Sequence, residues 1–80
     1  MRYDYDKIRT ADNLRVLMDE NGYSLRSLSD KTGLHYQTIF SITSGKAKPN
    51  LENTIILCNT FDCPIEYFLF KDLRKAMRGE

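Results

Sequence analysis

Tyr36, Gln37, Phe40 and Ser41 fall close together, and Ser44, Lys46 and Lys48 follow at once in the stretch "GLHYQTIFSITSGKAKP", residues 33–49. On a helix advancing about 100° per residue, Ile39 and Ile42 share an inner face, and Gln37, Ser41 and Ser44 point nearly opposite. Tyr36 and Phe40 flank that outer face. A Gln side chain can bond N6 and N7 of adenine together, a Ser hydroxyl can bond several bases, and an aromatic edge can touch the thymine methyl. Lysines just after such a helix suit phosphate oxygens, which position a protein without reading sequence. The outer face of this segment is therefore expected to be covered by DNA.

Charge placement agrees, although the net charge is only +1. From Lys31 through Leu51 there is no Asp or Glu, and acids gather instead at Asp4, Asp6, Asp12, Asp19 and Glu20. Such asymmetry can make a positive face on a near-neutral domain. Arg26 and Lys31 are weaker phosphate candidates than Lys46 and Lys48.

Other chemistries find little support. His35 is the one histidine, and no nucleophile–base spacing, phosphate-cradling Gly-rich loop or metal cluster is recognisable. No enzyme activity, catalytic residue, metal or cofactor is expected. Cys58 and Cys63 sit among Leu57, Phe61 and Ile65 and read as buried reduced thiols, with a redox switch as the lesser alternative. Asp4 and Asp6 read as solvated charge in an N-terminal arm.

The elements that must position this face are short helices. Eighty residues with 41% apolar and 29% charged content fit one small domain with one core. No apolar run approaches the ~20 residues of a membrane span, and no leader pattern opens the chain, so a cytoplasmic location is expected. Gly22, Gly33, Gly45 and Pro64 punctuate a helical apolar period. The first helix is expected over 10–21, with Thr10 as cap, Asp12 at its positive end, and Leu14, Leu17 and Met18 inward. Ser24 caps a second over 25–32, Gly33 turns the chain, and the third covers 36–44. A fourth over 51–61, capped by Asn50, is expected to turn Leu51, Ile55, Cys58 and Phe61 inward. A fifth after Pro64 turns Ile65, Phe68 and Leu69 inward. The expected fold is an all-α, compact five-helix domain over 10–70, with an arm at 1–9 and a C-terminal helical extension or tail at 71–80.

Residues 13–69 resemble the lambda-repressor-like helix-turn-helix domains of phage repressors, Cro proteins and XRE-type regulators. The matching positions are Leu14 with Arg15, Leu17, Gly22, Ser24, Leu28, Gly33, Ile39, Gly45, Pro49, Leu51, Phe61 and Ile65. None is specific alone; their joint spacing carries the likeness. The resemblance implies that Tyr36, Gln37 and Ser41 occupy base-touching positions, and that Lys46 with its neighbouring amides matches a phosphate-contacting loop. It also implies a dimer, commonly through the C-terminal part, on two half-sites of a pseudo-palindromic operator.

Three departures stand out. Leu25 replaces the Gln that contacts phosphate. Met18 and Thr43 stand where many members pair an Arg with a Glu, and losing both charges together orphans neither. His35 replaces the usual Ser before the third helix, and is expected to cap it less firmly. A protonated His35 could meet a phosphate, or the residue is simply exposed in a turn. Tyr67, Phe70, Leu73 and Met77 are candidates for a twofold apolar patch.

The expected function is a sequence-specific double-stranded DNA-binding transcriptional regulator, a repressor of phage or mobile-element type, inserting helix 36–44 into the major groove as a dimer. The alternative is a helix-turn-helix protein-interaction module or antitoxin component with weak or no direct DNA reading. Leu25, Phe40 and the low net charge lean toward it.

Overall fold

The computed structural model describes residues 5–79. Among these, six helices follow one another: α1 Lys7–Asn21, α2 Leu25–Thr32, α3 Tyr36–Thr43, α4 Leu51–Phe61, α5 Ile65–Phe70 and α6 Leu73–Met77. They enclose a single core built on Leu14, Leu17, Leu28, Ile39, Ile42, Leu57 and Phe68. The fold is all-α as expected, with one helix more.

The first helix begins earlier than its apolar stripe suggests. Asp6 caps it, accepting from the Ile8 amide at 2.9 Å, so Asp6 is a capping residue and not merely solvated charge. Thr10, the expected cap, is fully buried inside the first turn, and its hydroxyl donates to the Lys7 carbonyl at 3.1 Å. Asp4 lies outside the described residues. Gly22 ends α1 in the left-handed region at φ 71°, where a residue with a Cβ would be strained.

Ser24 and Ser27 cap α2 reciprocally: the Ser27 amide donates to the Ser24 hydroxyl at 3.0 Å, and the Ser24 amide to the Ser27 hydroxyl at 2.8 Å. Serine thus does at the third position what Glu or Gln does in the common capping box. Leu28 is the residue of α2 that reaches full burial, while Leu25 is half-buried.

In α4 the expected phase is corrected. Leu51 is 72% exposed and Ile55 41% exposed; Cys58 is buried and Phe61 packs half-buried against the core, both as expected, and Thr54 and Leu57 are buried in addition. Thr54 can turn inward because its hydroxyl donates to the Asn50 carbonyl at 2.8 Å, leaving only its methyl to the core. Asn50 caps the helix, accepting from the Asn53 amide at 2.8 Å.

In α5 only Phe68 is fully buried; Leu69 is half-buried and Ile65 is exposed. At six residues, α5 presents less than two turns to the core, so its outer positions stay wet. The chain then breaks and restarts as α6, whose cap Asp72 accepts from the Lys75 amide at 3.0 Å. Leu73 opens that helix and is 5% exposed. Its place among the candidates for an exposed patch is therefore withdrawn. Glu80 lies outside the described residues.

Candidate nucleic-acid interface

The turn between α2 and α3 is locked by side chains. Gly33 adopts φ 77°, and its amide donates to the Ser29 carbonyl at 2.9 Å. The Ser29 hydroxyl donates to the Leu34 carbonyl at 2.6 Å, and the Leu34 amide to the Thr32 hydroxyl at 3.1 Å. Three hydrogen bonds thus pair the polar groups of this turn within the protein.

His35 caps α3: its Nδ1 accepts from the Gln37 amide at 3.1 Å. A ring nitrogen with a lone pair thus takes the place of the Ser oxygen as the cap.

Along α3, Ile39 and Ile42 are buried as the wheel requires, and Thr43 joins them. Gln37 and Ser44 are exposed and Ser41 is half-buried. Tyr36 and Phe40, 43% and 40% exposed, leave the helix on either side of that polar strip. Tyr36 borders a hollow with Arg26, Ser29 and Asp30 of α2. Phe40 borders a groove of about 350 Å³ with Arg15, Met18 and Leu25. Arg26, Lys31, His35, Lys46 and Lys48 are all exposed. The candidate base and phosphate contacts are thus surface residues of α2, α3 and the turn and loop that flank α3, with Ser41 half-buried among them.

That loop is held from within. The amides of Lys46 and Ala47 both donate to the Ser41 carbonyl, at 3.0 and 3.2 Å, and the Gly45 amide to the Ile42 carbonyl at 3.2 Å. These three amides are paired within the protein, and the side chains of Lys46 and Lys48 are exposed beside them. Gly45 takes φ 76°, and a Cβ there would lie 3.0 Å from Ile8 Cδ1.

Several contributing residues carried no local signal in the sequence. Arg15 reaches across the departures at Met18 and Thr43, donating through Nη1 to the Thr43 carbonyl. Tyr5 donates through its hydroxyl to the Pro49 carbonyl at 2.5 Å, tying the start of α1 to the loop. Asn13 had one available signal, a polar residue in the buried stripe of α1. The cysteines form no disulfide. Burial pushes the Cys58 thiol up to about 11 and raises Cys63 as well.

A helix-turn-helix family model matches residues 14–68, well over half of the chain. The chain belongs to the helix-turn-helix family. It is thereby placed among DNA-binding transcriptional regulators of the XRE type. Among solved structures, this helix-turn-helix protein is similar to the restriction-modification controller protein C.AhdI from Aeromonas hydrophila. The TM-score is 0.72 at 21% identity, over 79% of this chain and 96% of the other. It is also similar to a hypothetical transcription factor, NHTF, from Neisseria, with TM-score 0.77 at 13% identity over 98% of this chain and 95% of the other. At these identities the likeness establishes the fold. No curated protein matches the sequence significantly. Among the described residues, no helix of this helix-turn-helix protein is long and apolar enough to cross a membrane.

Proposed function

We propose that this protein is a sequence-specific reader of double-stranded DNA that inserts α3 into the major groove and represses transcription as a dimer. The observation that carries the reading is the outer strip of α3, where Gln37 and Ser44 are exposed opposite the buried Ile39 and Ile42. Tyr36, Gln37, Phe40 and Ser41 contact bases; Arg26, Lys31, His35, Ser44, Lys46 and Lys48 contact phosphates. A single domain of this size makes too few contacts for tight specific binding, so two copies occupy half-sites about one helical turn apart. Tyr67, Phe70 and Met77, each 45–50% exposed, supply the apolar surface for pairing. Occupying a promoter excludes polymerase, which fits a regulator of the phage or mobile-element kind.

One feature favours a second reading. The groove beside Phe40 is lined by Met18 and Leu25, at the positions where the family resemblance implies an Arg and a Gln. An apolar groove there suits a protein-interaction module or antitoxin component.

Selection from a random duplex pool at moderate salt separates the two. A twofold-symmetric enriched motif is the expected result. Lys46→Ala then weakens binding to all sequences alike, whereas Gln37→Ala relaxes preference at one base pair, by about 1–3 kcal/mol. A pool that stays random with folded protein sinks the DNA-reading proposal and favours the interaction module.

A further inference from the structure

The two lysines of the loop after α3 lie over aromatic rings from different elements. Lys46 Nζ sits 5.6 Å from the centroid of Phe40, on α3 itself. Lys48 Nζ sits 5.0 Å from the centroid of Tyr5, just ahead of α1. The Tyr5 hydroxyl bonds the Pro49 carbonyl, so this ring is tied to the loop whose lysine it carries. The loop backbone beneath is already pinned to the Ser41 carbonyl. A long side chain on an unsupported loop loses rotamer entropy when a phosphate captures it, and that loss subtracts from affinity. A ring face under the ammonium attracts it electrostatically and restricts it beforehand, while N–H donors still point away from the ring.

We propose that Phe40 and Tyr5 are positioning residues of the DNA interface, seating the Lys46 and Lys48 ammonium groups where phosphates arrive. This rests on the reading of the α3 face given above. It assigns Tyr5 a part in DNA binding although it lies outside the helix-turn-helix unit. The face of the Phe40 ring serves Lys46, which leaves its edge for a base.

The test uses the whole 80-residue chain and a random-sequence duplex, on which base-specific contacts average out and phosphate contacts dominate. Lys46→Met is expected to weaken binding and to flatten the slope of log affinity against log salt by about 1. Phe40→Leu weakens binding about two- to fivefold, the range for an exposed cation–π contact. That loss disappears in the Lys46→Met background, and Phe40→Tyr, which keeps a ring, keeps the coupling. Tyr5→Leu behaves in the same way toward Lys48→Met. A readout without DNA accompanies these: the Lys46 Hε resonances are shifted upfield by the Phe40 ring current, and Phe40→Leu abolishes the shift. Thermal unfolding of each variant checks that the fold persists.

Unshifted Lys46 Hε resonances overturn the stacking. Ring variants that lose affinity equally in both lysine backgrounds overturn the positioning role while the DNA interface stands. Lysine variants that bind like wild type overturn the interface reading, and the positioning role with it.

Discussion

Asn13 does the most work for its size. It is fully buried in α1, and its Nδ2 donates to the carbonyls of Phe68 and Lys71, each at 2.7 Å. Its Oδ1 accepts from the Leu73 amide at 3.1 Å. One amide thus satisfies the backbone groups released where α5 breaks and α6 begins. Asn13→Ala leaves several buried groups unpaired and is expected to destabilise by about 2–4 kcal/mol, read from urea unfolding. The adjacent Asp12 takes the Arg74 guanidinium on two nitrogens, with Nη2–Oδ1 at 2.8 Å and Nε–Oδ1 at 3.2 Å. That hydrogen-bonded partner, with Coulombic help from Arg15 and Arg9, holds the Asp12 carboxyl below its ordinary 3.8, against a smaller opposing effect of burial. Because the folded state lowers this pKa, the contribution is fully present above the ordinary value and is lost as pH falls through the folded one. Wild type is therefore expected to exceed Arg74→Met in urea midpoint near about pH 6, with the gap narrowing as pH falls below the ordinary carboxylate range.

At the scale of elements, the loop after α3 depends on α1. Gly45 needs its left-handed backbone, and a Cβ there would press on the Ile8 Cδ1 at 3.0 Å, whereas a Cβ on Gly22 would meet nothing within 4 Å. Both Ala variants incur the conformational penalty of about 1 kcal/mol. Gly45→Ala adds crowding, so thermal unfolding is expected to rank it below Gly22→Ala. If the two are equal, the packing of α1 against the loop does not constrain it. In α4 the buried face is set by Thr54, Leu57 and Cys58. Leu57→Ala is expected to cost about 2–5 kcal/mol in urea unfolding, and Leu51→Ser to stay within about 0.5 kcal/mol. Both stripes satisfy a helical period, which is why the pattern alone favoured Leu51 and Ile55: a Thr counts as polar until its hydroxyl is seen bonded to its own helix.

Across the whole molecule, α1 is the strut to which both ends of the described chain return. Tyr5 and Ile8 reach from it or just ahead of it to the loop that presents Lys46 and Lys48. Arg9, Asp12 and Asn13 hold the C-terminal segment through Asp72, Arg74 and Leu73. The proposed pairing surface then rests on Tyr67, Phe70 and Met77, which this packing leaves exposed. Phe70→Asp is expected to reduce self-association in sedimentation while leaving the monomer folded. Leu73→Asp, which buries a charge against α1, is expected to unfold the monomer instead. Equal effects of the two variants on folding would place Phe70 in the core and remove it from the proposed dimer surface.

The helix-turn-helix unit was legible because its determinants are local. Ser24 and Gly33 bracket α2, and the spacing of Ile39 and Ile42 fixes which side of α3 turns inward and which side carries Gln37 and Ser44. Caps and helical periods act over a few residues, so their arithmetic survives without tertiary contacts. The phase of α4, the burial of Leu73 and the restart of the chain as α6 were decided only in three dimensions. Each depends on a satisfied polar group, Thr54 on its own helix and Asn13 across 55 to 60 residues of chain. The same holds for Arg15 on Thr43 and for the two rings under the loop lysines. A sequence determines by itself what neighbours along the chain can settle. Which distant carbonyl or ammonium a side chain meets is settled by packing.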